Sequence, residues 1–281
     1  MSSASPLVSA DWLAGHLGGE ILVLDIRSAV DGGGAAAYEA AHVPGAIHTD
    51  YVTDNWRAAK GMATGMLPEP DYLAALFGRL GLTPALHAVI VSAGTSPGDF
   101  CAAARIYWTL KVCGHDKVSI LDGGMAAWRA GGHALESGRN APKAAAKYPV
   151  RLREELRADL ARVEAAIASD SETMLDSRSA SYFAGHEKSP QAKRGGRLPR
   201  ALLIDHTQVF DPATRRLRPR AELEKLFGDL PSLPVVNYCN TGHQAAANWF
   251  VLSEVLGRPA RLYDGSMSEW TEDDGRPVEV G

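Results

Sequence analysis

The chain has 281 residues, 46% of them hydrophobic and 22% charged, with a formal net charge of -4. This balance is that of a folded globular protein, argues against disorder and against membrane spanning, and suits about two domains. The charge gives no overall attraction to nucleic acid or anionic lipid, so neither is expected as a partner, and an anionic substrate needs positive groups placed locally.

The N-terminal stretch MSSASPLVSADWLAGHLGG has no basic segment followed by an apolar core, so no signal peptide is expected and the cytoplasm is the default location. A strand, ILVLDIR, comes first, followed by a long polar, Gly-rich loop running through HVPGAIH. Apolar residues at helical spacing in DYLAALFGRLGL predict a helix; HAVIVSA predicts a strand, CAAARIYWTLKV a helix and KVSILDGG a strand. Periodicity then lapses in GRNAPKAAAKYPVRLREEL, which places a domain boundary near Tyr148 and gives domains 1–147 and 148–281.

Beyond the boundary the order returns: TMLDSR, a loop through GGRLPRALLIDH, then RAELEKLFGDL, PVVNYC, AAANWFVLSEVL and PARLYDG. LVLDIRSA (Leu22–Ala29) reappears as MLDSRSA (Met174–Ala180), and LDGGMAAW (Leu121–Trp128) as YDGSMSEW (Tyr263–Trp270). Two matches in the same order make two copies of one unit. Strands alternating with helices predict an α/β fold, with a mostly parallel sheet covered by helices on both faces in each copy.

The three cysteines, Cys101, Cys113 and Cys239, are odd in number and lack zinc-type spacing, which speaks for a reducing compartment over a disulfide scaffold. Cys113, inside YWTLKVCG, reads as a small buried apolar residue. Cys239 differs: it ends a strand, and a short turn leads from it into a helix. Backbone N–H groups and the positive end of the helix can then converge on whatever the sulfur holds, and a thiolate there is favoured. Aligning HAVIVSA with PVVNYC puts Ala93 opposite Cys239, so the first copy lacks the sulfur and is expected to be catalytically inactive, serving as one wall of a cleft.

Such a cradle suits attack on phosphate or on a sulfane sulfur. A cysteine phosphatase needs a larger loop and an arginine to grip phosphoryl oxygens in a bidentate fork. The residues after Cys239 are Asn240, Thr241, Gly242, His243 and Gln244, with no arginine, which favours sulfur transfer through a persulfide.

LDIRSA with HVPGA in the first copy, and LDSRSA with YCNTGHQAA and YDGSMSEW in the second, resemble the two-domain rhodanese-type sulfurtransferases, the family of thiosulfate and 3-mercaptopyruvate sulfurtransferases. The resemblance covers nearly the whole chain. It implies a ping-pong cycle in which Cys239 takes sulfur from a small anionic donor and a thiol or cyanide then accepts it. Loop amides from Asn240 to Gln244 hold the persulfide, and no metal or organic cofactor is required. A rival reading is a non-enzymatic persulfide carrier or binding module that acts only with a protein partner.

The chain departs from the family in three respects. Its Asn-Thr-Gly is neutral like the Gly-Ser-Gly of mercaptopyruvate enzymes, with the Thr241 hydroxyl where those place serine, either to assist the leaving enolate or only to satisfy a loop amide. Tyr182 stands where an arginine usually binds the substrate anion, and RLPRA (Arg197–Ala201) replaces HVPGA. Within GHEKSPQAKRGGRLPR, Lys188 and Arg194 are candidates to replace that clamp, against the alternative of a solvated basic loop. His42 is placed either to meet substrate or only to stabilise its own turn; Asp25, Arg27, Asp176 and Arg178 read as architecture that ties down loops.

Overall fold

A computed structural model describes residues 5–31 and 33–281; residues 1–4, part of the N-terminal stretch read above as free of a leader, and Gly32 lie outside the described residues. The chain divides into two compact units. One holds the chain up to Trp56, Pro68–Arg153 and Pro212–Arg216; the other holds Arg57–Leu67, Glu154–Asp211 and Leu217–Gly281. The main crossing therefore falls between Arg153 and Glu154, and each unit also contains a short segment from the other half of the sequence. Segments this short carry no apolar period, so a search by periodicity passes over them.

In the first unit five parallel strands lie in the order Leu7–Val8, Val118–Leu121, His87–Val91, Ile21–Asp25 and Ile47–His48. Val23, Val89, Val91 and Leu121 from these strands pack with Leu13, Tyr38, Met125 and Trp128 into one apolar core. The helix Pro97–Val112 is buried along most of its length, and Ser96 with Asp99 forms a capping box at its start.

In the second unit four parallel strands lie in the order Ala260–Leu262, Val235–Tyr238, Thr173–Asp176 and Leu202–Leu203. Every residue of the two inner strands is buried, as expected of a parallel sheet covered on both faces. The chain leaves Thr173–Asp176 toward Leu202–Leu203 on one side and later enters Val235–Tyr238 on the other. The order of connection thus reverses between the two inner strands, and the crevice beyond their carboxyl ends is where ligands bind in open α/β sheets. Cys239 directly follows one of these strands, and Ser177 and Arg178 follow the other. The unit also contains the antiparallel hairpin Ala58–Lys60 and Ala63–Met66, donated by the first half of the sequence.

Candidate active site

The site is built on two adjacent strand ends. Asp176 pairs with Tyr238 in the parallel ladder, and the Asp176 carboxylate then takes Arg178 in a fork, Nε to Oδ1 at 2.9 Å and Nη2 to Oδ2 at 2.6 Å. Both side chains are buried. Arg178 also donates Nη2 to the Gly196 carbonyl at 2.7 Å and Nη1 to Asn240 Oδ1 at 3.4 Å. One buried guanidinium thus ties the Gly196 turn to the first residue after Cys239. Burial opposes its charge, but Asp176 outweighs that and raises the Arg178 pKa, with Tyr238 and Cys239 contributing in the same direction. The first copy repeats the fork, Arg27 on Asp25 at 2.9 and 2.7 Å, with Nη2 on the Ala41 carbonyl at 2.9 Å. Tyr182, at the position where the resemblance implies an arginine, has its ring centroid 6.0 Å from the Arg178 guanidinium.

Cys239 is 1% exposed, while Asn240, Thr241, His243 and Gln244 around it are partly exposed. The thiol is therefore buried, and the loop that follows it is partly exposed. Tyr238, the residue before Cys239, packs in an apolar cluster with Met174, Val236, Met267 and Trp270. Gly242 takes φ +68°, a left-handed turn that closes the loop tightly before the helix Ala245–Phe250. Gln244, the cap residue of that helix, offers no side-chain acceptor to its N-terminal amides.

The Cys239 N–H donates to Ser266 Oγ at 3.1 Å, and the Cys239 carbonyl accepts from Met267 N at 3.1 Å. The loop is thus held by the turn that follows Asp264. Ser266 escaped the sequence reading, although YDGS against LDGG marks the difference: Ser266 adopts φ +51° where Gly124 has +55°.

The matching bonds in the first unit fix the alignment of the two copies. Met125 N donates to the Ser92 carbonyl at 2.8 Å, Ala126 N donates to the Ala93 carbonyl and Ser268 N donates to the Asn240 carbonyl, both at 3.0 Å. Asp25 pairs with Val91 as Asp176 pairs with Tyr238. Ser92, and not Ala93, therefore stands opposite Cys239. The expectation was off by one residue because apolar runs alone do not fix strand register. The first copy carries a hydroxyl in place of the thiol.

The same count sets Asp99 opposite Ala246. Asp99, 2% exposed, has its Oδ2 accepting from Thr95 N at 2.7 Å, Thr95 Oγ1 at 3.0 Å and Ser96 N at 3.1 Å. An internal carboxylate thus occupies the loop amides of the first copy. Alanine at 246 brings no such anion.

Lys188 donates Nζ to the Ala192 carbonyl at 2.9 Å, and Arg194 donates Nη2 to the Asp273 and Arg276 carbonyls, each at 2.8 Å. Among the described residues neither is hydrogen-bonded to residues 239–244. His42 is fully buried in the first unit, with Nδ1 at 2.8 Å from the Tyr38 carbonyl and Nε2 at 3.2 Å from Asn140 Nδ2. One ring nitrogen thus serves its own turn and the other meets Asn140, within the same unit.

Two stretches, residues 9–131 and 159–273, match the rhodanese-like domain model. A thiosulfate sulfurtransferase of Pseudomonas aeruginosa is 34% identical over 95% of this chain and 94% of its own. A second protein of that organism, named "Probable 3-mercaptopyruvate sulfurtransferase", is 35% identical over the full length of both chains. The crystal structure of the 3-mercaptopyruvate sulfotransferase SseA from Escherichia coli superimposes with a TM-score of 0.77 at 27% identity, over 96% of this chain and all of that one.

Proposed function

The chain belongs to the rhodanese-like domain family and is a sulfurtransferase, and from that premise we propose that it works through a persulfide on Cys239, with the first unit catalytically silent. The observation that carries this reading is the contrast between the two strand ends. One has a thiol, a tight glycine turn and a helix start with no side-chain cap; the other has Ser92 and a loop already filled by the Asp99 carboxylate.

The Cys239 thiolate attacks the outer sulfur of thiosulfate or the thiol sulfur of 3-mercaptopyruvate. With thiosulfate the S–S bond breaks and its electron pair leaves with sulfite; with 3-mercaptopyruvate the C–S bond breaks and the pair leaves as the enolate of pyruvate, which takes up a proton. The Thr241 hydroxyl is our candidate to assist that second departure. Cyanide or a thiolate then attacks the outer sulfur of the persulfide and returns Cys239 to its thiolate. Meanwhile amides of Asn240–Gln244 act as fixed dipoles around the anion, and Arg178 holds the loop through Asn240. The two relatives carry different donor names at nearly equal identity, so overall likeness does not choose between thiosulfate and mercaptopyruvate.

The test is mass spectrometry after exposure to each donor, followed by cyanide or a dithiol. One extra sulfur, about 32 daltons, is expected on the peptide holding Cys239 and lost on adding acceptor. Cys239→Ser should abolish both the added mass and turnover. A loaded protein that yields nothing to free small acceptors would instead mark a carrier serving a protein partner.

A further inference from the structure

The hairpin Arg57–Leu67 comes from the first half of the sequence yet belongs to the second unit, where it is fastened at its turn and at its exit. Ala63 N donates to Glu272 Oε1 at 3.2 Å. At the exit Leu67 N donates to Asp264 Oδ2 at 2.6 Å, and Arg157 Nε holds the other oxygen of that buried carboxylate at 2.9 Å. Between these anchors lies Gly65. A Cβ placed there would stand 1.8 Å from the Thr241 carbonyl oxygen, 2.6 Å from its carbon and 3.0 Å from the Asp264 carbonyl oxygen. The obstruction is main chain, so no rotamer change relieves it.

The Thr241 carbonyl therefore points at the hairpin. We propose that Gly65 is a positioning residue for the active-site loop: its bare backbone lets the hairpin pack directly on the Thr241 main chain and so fixes the path of the loop that follows Cys239. This inference rests on reading Cys239 as the sulfur-bearing group. Any side chain at 65 pushes on the Thr241 main chain and shifts the loop around Cys239, which loosens the seat of the persulfide.

The test uses the full chain with Gly65→Ala, loaded with thiosulfate, and follows the half-life of the added sulfur on Cys239 by mass spectrometry. That half-life is independent of how much protein is active, so simple loss of fold does not mimic it. A loaded state that decays about tenfold faster, with a slowing of turnover per alkylatable Cys239 of about tenfold to a hundredfold, is expected. Wild-type lifetime and turnover in Gly65→Ala would overturn the proposal. Should that variant not fold, Glu272→Ala, which frees the hairpin tip without touching the loop, decides in its place. A shortened lifetime supports the inference and an unchanged one overturns it. Failure of wild-type protein to gain sulfur at all would count against the role of Cys239 and not against Gly65.

Discussion

The main-chain N–H of Cys239 and the hydroxyl of Ser266 are bonded at 3.1 Å, and that hydroxyl donates onward to the Tyr263 carbonyl at 2.8 Å. Ser266 accepts a left-handed backbone to do this, a conformation that costs a residue with a Cβ on the order of 1–2 kcal/mol.

Ser266→Ala keeps that strain and leaves the buried Cys239 N–H without its acceptor, so a stability loss of about 1–3 kcal/mol is expected in urea unfolding. Ser266→Gly removes the strain as well as the bond and should be close to neutral in stability. Both should slow sulfur loading of Cys239, because the strand end is no longer fastened from behind. Wild-type loading in both variants would remove Ser266 from the site.

The two strand ends predict what is needed to waken the first copy. In a Cys239→Ser background, Ser92→Cys alone should take up no sulfur, because the Asp99 carboxylate holds the Thr95 and Ser96 amides and repels a second anion. Adding Asp99→Ala should permit donor-dependent gain of one sulfur at position 92, read by peptide mass spectrometry. Loading of the single variant would show that Asp99 does not silence the loop.

Cys113 should be inert in the folded protein. It is fully buried, and burial pushes its thiol up to about 12, so almost none is thiolate at neutral pH. Iodoacetamide at pH 7 should leave it unmodified until denaturant is added, and Cys113→Ser should leave turnover unchanged.

His115 sets a pH dependence. Burial pushes its pKa from 6.5 down to about 4, with Nδ1 near the Tyr148 hydroxyl at 2.9 Å and Nε2 near the Lys117 carbonyl at 3.0 Å. The folded state keeps the ring neutral while the unfolded chain protonates it. Its contribution is therefore complete above pH 6.5 and is lost as pH falls toward 4, about 3 kcal/mol in all. Thermal unfolding followed across that window should show a decline that His115→Gln makes shallower by about one proton.

Lys188 and Arg194 have a structural use, stapling the Gly185–Arg200 segment internally and to the turn near Asp273. Alanine at either should cost about 1 kcal/mol and leave the donor KM within about twofold of wild type. A large rise in KM would restore them as the anion clamp.

The sequence by itself determined what depends on neighbours along the chain. The repeated LDIRSA and LDSRSA, the order of strands and helices, and Cys239 at the junction of a β-branched run and a helical run all follow from side-chain period and turn chemistry. Only the tertiary structure decided the rest. Ser92 as the counterpart of Cys239 required a hydrogen-bonded ladder, since apolar runs slide past one another without changing their pattern. The Ser266 bond, the Asp99 carboxylate over its loop and the Gly65 approach to Thr241 join side chains and main chain whose meeting is set by how the chain closes on itself. A hairpin of small residues shows no period of its own, and its place in the second unit is fixed by Asp264 and Glu272, far along the sequence.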